Sequence, residues 1–423
     1  MKYCKINFIL FLLVFTINCN KICVFGAGYV GLVVSIGFAE LGHDIICVEK
    51  DQSKVNNLQK GEAHFYEPGL SDLLKKNLDA KKLVFTVDAK TSIEESDIIY
   101  LAVGTPSGED GNADLTTIFD VAKSIADHIN SYKVLVVKST VPIGTCNVIK
   151  QFISSLTTVQ FDIVSNPEFL REGFAIFDFF NPERIVIGSD SSVAMNKVKE
   201  CHNYFIEKKV PIVETDLVTS ETIKYASNAF LAVKISFINE MANLSEKTGA
   251  NIKDISLGMG LDSRIGAKFL QPGPGFGGSC FPKDTKAILF KSDQLGVNLR
   301  VIKAALEANE YQKQHVVEKV CEKLGADLSG KKIAVLGLAF KENTDDVRES
   351  PAIDIIEGLK SKGAILNCYD LLAIENMKKI MPSANYFFKV SDAIQNIDLI
   401  LVLTNCFDSD LLNNTKAPII YTR

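Results

Sequence analysis

The chain has 423 residues, a formal net charge of −5, 47% hydrophobic and 23% charged residues. That length allows two or three domains, and so apolar a composition excludes a disordered or fibrous protein. No Lys/Arg stripe offsets the acidic balance, which argues against nucleic acid as a partner and leaves anionic small molecules, met by local positive charge, as a ligand class. The ten cysteines stand singly, with no C-x-x-C or Cys/His spacing. No metal site is therefore expected, and the pattern reads as reduced thiols.

The chain opens with a basic Met1–Lys5 and an apolar run, Ile6–Ile17. The run resembles a signal-peptide core but is short for a membrane span. Asn18-Cys19-Asn20 makes a poor cleavage site, and Lys21 begins a strand at once. Residues 1–20 are expected to be a hydrophobic extension outside the fold, either a leader or a translated tail.

Lys21–Phe25 is a short apolar strand that runs into Gly26-Ala27-Gly28-Tyr29-Val30-Gly31 and a helix ending near Leu41. A second strand, Asp44–Val48, ends at Glu49. These are the parts of a dinucleotide fingerprint in order. Gly26 permits the turn, Gly28 lets backbone approach a diphosphate, and Gly31 lets helix pack on strand. The helix N-terminus favours the anion, and Glu49 is spaced to accept from a ribose 2′-hydroxyl, which favours NAD over NADP. Strands at Asp97–Val103 and Lys133–Lys138 follow, and their ends place Thr105 and Thr140 in the cofactor crevice.

Phe161–Ser165 leads to Asn166–Gly173, where Glu168 and Glu172, four apart, would share a face on a helical turn. A solvated acidic turn is the alternative. A long helix is expected from Asp216 to Thr248, stopped by Gly249. On it Lys224 and Asn228 stand amid apolar neighbours, either snorkelling to solvent or facing the crevice, where Lys224 would serve a charged intermediate. The Phe269–Asp284 stretch is dense in glycine and delivers Cys280 just before Pro282, which can open a helix. A thiol there should have its pKa lowered by the helix dipole and act as a nucleophile. Leu299–Leu324 is helical, and Lys331–Gly337 begins a second α/β unit with one glycine of the usual three, followed by strands at Ile365–Tyr369 and Asp398–Leu403. That unit is expected to hold a nucleotide rather than a second NAD.

Taken together, GAGYVGL, VGTPS, KSTVP, SNPEFLREG, SETIKYASNAFLAVKISFINE, LDSRIG, PGPGFGGSCFPKD and FKENTDDVRESP resemble the UDP-glucose/GDP-mannose dehydrogenase family, in its UDP-glucose 6-dehydrogenase branch. The resemblance runs from about residue 21 to 404. It implies an α/β fold: two Rossmann-like doubly wound domains joined by a long central helix and a helical dimerisation region. The expected divisions are 1–20, the extension; 21–213, NAD-binding; 214–325, helical with the catalytic cysteine; and 326–423, UDP-sugar-binding.

The resemblance also implies roles. Cys280 would be the nucleophile, with Lys224, Asn228 and Asp284 around the reacting carbon and Glu168 and Thr140 supporting hydrolysis. Val30, Glu49, Lys54, Thr105, Thr140, Glu172, Lys283 and Arg348 would lie along NAD, with Gly26, Gly28 and Gly31. Glu168, Phe169, Leu170, Arg171, Lys224, Asn228, Phe269, Leu270, Gln271, Pro272, Gly273, Gly277 and Lys341 would line the UDP-sugar. Arg264 would reach the substrate of a neighbouring subunit in a homodimer.

The implied activity is a four-electron oxidation of UDP-glucose C6 to the acid, with the aldehyde held as a thiohemiacetal and then a thioester. NAD and nucleotide sugars are cytosolic, so the cytoplasm is the expected location, with export or membrane association as the alternative and no stable membrane partner. Relatives begin near Lys21, carry Asp at the position of Glu49, and have Thr-Glu-Trp where this chain has Thr404-Asn405-Cys406-Phe407. The short, altered C-terminus is expected to leave the last domain incomplete. The competing readings are an impaired nucleotide-sugar-binding homologue, a dehydrogenase for a related nucleotide sugar, and a two-electron dehydrogenase in which Cys280 is structural.

Overall fold

A computed structural model describes residues 20–108, 111–413 and 415–422. The apolar run Ile6–Ile17 lies outside the described residues.

Eight strands form the first sheet: β1 (Lys21–Phe25), β2 (Asp44–Val48), β3 (Leu83–Thr86), β4 (Ile98–Leu101), β5 (Lys133–Val137), β6 (Phe161–Ser165), β7 (Ile185–Gly188) and β8 (Ile212–Thr215). Their order is β3-β2-β1-β4-β5-β6-β7-β8, parallel throughout except between β6 and β7. β4, β5 and β7 are buried at every position, which is why they read as unbroken apolar runs rather than alternating ones. The strand order reverses at β1 and β4, so a crevice opens beyond their carboxyl ends.

A second sheet holds β9 (Lys332–Leu336), β10 (Ile365–Tyr369), β11 (Asn385–Tyr386), β12 (Leu399–Val402) and β13 (Ile419–Tyr421) in the order β11-β10-β9-β12-β13, all parallel. It has its own apolar core, with Ile333, Val335, Ile356, Leu359 and Leu401 fully buried. The acid ending β10 is more heavily engaged than the one ending β2, accepting four backbone amides where Glu49 accepts two. Both carboxylate oxygens of Asp370 are taken by backbone, from Leu338 and Ala339 on one side and Leu372 and Ala373 on the other.

Between the sheets runs the long helix Leu217–Thr248, 32 residues, or roughly 48 Å. Asp216 caps its start by accepting from the Thr219 amide, and Gly249, at φ 77°, ends it in the left-handed conformation. It packs on the helices Phe281–Gln294 and Arg300–Leu324. Among the described residues it carries exposed apolar side chains, Phe230, Phe237 and Leu244, and more follow at Leu257, Leu261 and Ile265 on and after the helix Ile252–Gly260, none of whose residues is buried.

Gly337 ends β9 at φ 95°, and a Cβ there would stand 2.2 Å from Thr404 Oγ1 and 2.5 Å from the Thr404 amide nitrogen. Gly337→Ala should therefore destabilise the second domain by more than about 1 kcal/mol, read as a loss of melting temperature by calorimetry. An unchanged melt would mean the β9 turn relaxes freely.

Candidate active site

The first turn of the helix Tyr29–Glu40 has no side-chain cap, because its N-cap is Gly28. A Cβ on Gly28 would meet nothing within 4 Å, whereas one on Gly31 would stand 1.9 Å from the Gly26 carbonyl oxygen. Gly26 itself needs φ 98° and touches the backbone of Ala102. Open space therefore lies in front of an uncapped helix start, the arrangement that suits a diphosphate. Glu49 sits beside this turn, nearly buried, its carboxylate accepting from the Ala27 and Asp51 amides. The Thr105 hydroxyl donates to the Thr140 carbonyl at 2.8 Å, joining the ends of β4 and β5. Val30 and Lys54 are half-buried in the first turns of the helices that follow β1 and β2. An acid at the end of β2 with space before the helix fits the adenosine half of NAD, and the carboxylate would repel a 2′-phosphate.

Across the crevice the long helix presents Lys224 and Asn228, 3% and 6% exposed. Neither snorkels. Lys224 Nζ lies 3.0 Å from Glu168 Oε1 and 5.2 Å from the centre of the Phe169 ring. Asn228 Nδ2 donates to Asp284 Oδ2 at 2.6 Å, and the other oxygen of Asp284 is ion-paired with Lys283. Cys280 is the N-cap of the helix Phe281–Gln294, with Pro282 in the first turn, as the sequence led us to expect. Its thiol feels Glu168, Asp284 and Lys224. Residues far apart in the chain, Glu168, Lys224, Asn228, Cys280 and Asp284, thus form one polar cluster, buried except at the half-buried Cys280.

Two expectations need correction. Burial pushes the Cys280 thiol up to about 11, and the carboxylates of Glu168 and Asp284 add to this, while Lys224 and Ser279 pull it down. Desolvation and two like charges outweigh the helix dipole, so without ligands the thiol is protonated at neutral pH. Lys224 stays charged. Burial opposes its charge, but Glu168, Cys280 and Asp284 together hold it above its ordinary value. Second, Glu168 and Glu172 do not share a helical face, because residues 166–171 are extended and irregular. Glu168 turns to Lys224, whereas Glu172 accepts from the Ser279 hydroxyl at 2.7 Å and faces Arg348 at 3.5 Å. Burial raises the Glu172 carboxyl, and the neighbouring Asp346 raises it further.

The other predicted residues divide. Leu270 and Gly273 are buried, Leu170 is half-buried, Phe269 adopts φ 64°, and Gln271 is exposed with Pro272 half-buried. Gly277 is required for closeness to the second domain, since a Cβ would stand 2.1 Å from the Glu349 carbonyl. Burial lowers the pKa of Lys341, whose ammonium lies 5.4 Å from the Phe340 ring centre. Arg171 is turned to Asp178, Nη2 to Oδ1 2.6 Å. Arg264 is held by Asp262 and exposed at the protein surface.

Several residues at the site carry no local sequence signal. Asn239 Oδ1 accepts from the Gly273 amide, Gln312 donates to the Gly273 carbonyl, and Asn309 binds both backbone groups of Phe276. These buried amides, from the long helix and from Arg300–Leu324, hold the glycine loop that carries Cys280. Lys138, buried at the end of β5, donates to Asn166 Oδ1 at 3.0 Å, and burial lowers it to about 8. Glu221, one turn before Lys224, accepts from the Gly144 and Cys146 amides and so pins the loop after Thr140 to the long helix. Arg184 stacks 3.7 Å from the Phe169 ring centre. Among the described residues, no group of three or more His, Cys, Asp or Glu could hold a metal ion.

Comparison with known proteins gives the same outline. Three models of the UDP-glucose/GDP-mannose dehydrogenase family match: the NAD-binding domain over residues 20–206, the central domain over 218–311 and the UDP-binding domain over 334–421. The chain is similar to the UDP-glucose 6-dehydrogenase TuaD of Bacillus subtilis (strain 168), 48% identical over 389 residues, covering 91% of this chain and 84% of that one. It is also 44% identical to the UDP-glucose 6-dehydrogenase of Rhizobium meliloti (strain 1021) over 410 residues, covering 95% of this chain and 94% of that protein. Its fold matches the UDP-glucose dehydrogenase structure from Pyrobaculum islandicum with a TM-score of 0.93 at 36% identity, covering 97% of this chain and 96% of that one.

The two glycines of the first turn give opposite predictions. Gly28→Ala should leave the melting temperature within about 1 °C yet weaken NAD binding at least tenfold, by titration calorimetry, because its Cβ enters only the ligand's space. Gly31→Ala should lower the melting temperature itself, since its Cβ collides with backbone. Unaltered NAD affinity in the Gly28 variant would remove the diphosphate from this turn.

Proposed function

The chain belongs to the UDP-glucose/GDP-mannose dehydrogenase family, and on that premise we propose that it oxidises the C6 alcohol of UDP-glucose to the carboxylate of UDP-glucuronate through a covalent intermediate on Cys280. The observation that carries this reading is the polar cluster in which one thiol stands among the Lys224 ammonium and the Glu168 and Asp284 carboxylates, with the Asn228 amide bonded to Asp284.

NAD, when bound, accepts the hydride at each of the two oxidations. The protein's own groups do the rest. Cys280 Sγ adds to the aldehyde carbon as the C=O π bond opens, and the thiol proton passes to the oxygen, giving a thiohemiacetal. The Lys224 ammonium, already charged and desolvated, stabilises that oxygen, and Asn228 offers an N–H donor nearby. At the thioester level water attacks the carbonyl carbon, the C–S bond breaks, and the thiol is regenerated with the acid. Glu168, paired with Lys224, and Thr140 support this hydrolytic step, with Asp284 holding Asn228 in place.

Along the cofactor we place Gly26, Gly28, Val30, Gly31, Glu49, Lys54, Thr105, Thr140, Glu172, Lys283 and Arg348. Glu168–Arg171, Lys224, Asn228, Phe269–Gly273, Gly277 and Lys341 line the UDP-sugar, with the pyrimidine nucleotide on the second sheet. In that domain Asp370 is saturated by backbone amides, which disfavours a second dinucleotide. The exposed apolar side chains of the long helix and of Ile252–Gly260 support a homodimer, with Arg264 completing the partner's site. Among the described residues no helix is long and apolar enough to cross a membrane, and a cytoplasmic location suits the substrates.

Cys280→Ser should reduce UDP-glucuronate formation at least about a thousandfold while UDP-glucose still binds, and the unsubstituted protein should yield about two NADH per sugar consumed. One NADH per sugar, or normal acid formation by the serine variant, would end the thioester reading.

Arg264→Ala should lower activity at least tenfold, and co-expression with Cys280→Ser protomers should restore part of it, because each mixed dimer pairs an intact cysteine with an intact arginine. No recovery would place Arg264 in its own chain's site.

A further inference from the structure

Glu67 belongs to neither binding surface, yet it is 4% exposed, and among the described residues no lysine or arginine forms an ion pair with it. Its Oε2 accepts from the Gly173 amide at 2.7 Å and its Oε1 from the Ala175 amide at 2.8 Å. The Tyr29 hydroxyl also donates to Oε2, and the Gly173 amide reaches the Tyr29 oxygen at 2.8 Å. The two amides can only donate, one to each carboxylate oxygen, and the Tyr29 hydroxyl completes the set. Tyr29 is the first residue of the helix behind the dinucleotide turn, and Gly173 directly follows Glu172 on the loop that begins with Glu168. Gly173 also abuts the second domain: it has φ 77°, and a Cβ would stand 2.7 Å from the Asn343 carbonyl. The Tyr29 ring is fixed against Phe65, centres 4.6 Å apart.

We propose that Glu67 and Tyr29 are positioning residues that couple the two halves of the site, so that occupation of the dinucleotide turn orders the Glu168–Glu172 loop for the UDP-sugar. Burying a carboxylate with no ion-paired cation is costly; three donors offset that cost, with a longer-range attraction from Lys341. The bonds form together only when the helix start, the loop and the Asn343 backbone are in register. A ligand that fixes one of them therefore lowers the ordering cost for the other. The inference rests on the functional reading above.

The test measures the affinity of the full-length protein for UDP-glucose with and without saturating NADH, a pair that cannot turn over. The unsubstituted protein should show at least about fivefold tighter UDP-glucose binding with NADH. In Tyr29→Phe and in Glu67→Gln that ratio should fall below about two, whatever each ligand's own affinity does, in protein whose circular dichroism is unchanged. If Glu67→Gln does not fold, Tyr29→Phe decides, since it leaves both Glu67–amide bonds in place. Variant ratios equal to the unsubstituted one, or a ratio of one in the unsubstituted protein, would overturn the inference. Failure of either ligand to bind the unsubstituted protein would overturn the functional reading and this inference with it.

Discussion

The pair of Lys224 and Glu168, 3.0 Å apart and almost wholly out of water, is the contact on which the site's arrangement depends. Two charges buried this way gain little net stability over an apolar pair, because desolvation consumes most of their attraction. What they secure is position. The long helix is tied to the loop after β6, and an ammonium is held charged beside the thiol. Removing either partner would strand the other, so the two surfaces move together or not at all. Around the pair, Asn228, Asp284 and Lys283 continue the same network into the helix that Cys280 caps.

A second constraint is the fixing of a flexible loop. The run from Phe269 to Cys280 is rich in glycine, and a loop of that composition is entropically expensive to hold. Here buried amides grip it from two helices. Asn309 matches both backbone groups of Phe276, as a neighbouring strand would, and Asn239 and Gln312 do the same for Gly273. The glycines then permit the second domain to press close, with Gly277 against Glu349 and Gly278 against the Phe340 ring. Loop flexibility in the sequence becomes close interdomain packing in the fold.

The two α/β domains use similar frames differently. In the first, the acid ending β2 accepts two backbone amides beside open space at the helix start; in the second, the acid ending β10 accepts four, two from the turn after β9 and two from the residues that follow β10. Between them, Glu172, Ser279, Asp346 and Arg348 form a polar junction where the domains and the cysteine loop meet. The crevice is therefore a product of three segments of chain, and its chemistry depends on their mutual docking.

Sequence alone determined what local rules govern. The fingerprint turn, the strand ends, the stop at Gly249 and the delivery of Cys280 to a helix start follow from glycine, proline and hydrophobic period within a few residues of each other. So did the α/β class, because apolar runs separated by helical stretches can only be buried in a parallel sheet. Tertiary structure decided the rest. Asn239, Asn309, Gln312, Lys138 and Glu67 read as ordinary polar residues on helices and loops, and only packing reveals what each one bonds. The spacing of Glu168 and Glu172 suggested a shared face, but the irregular backbone sends them to different partners. The helix dipole suggested an acidic thiol, but the dipole is a local effect of modest size. Burial and two carboxylates brought from distant segments raise the Cys280 pKa instead, because desolvation is set by everything that closes over a group and not by its neighbours in sequence.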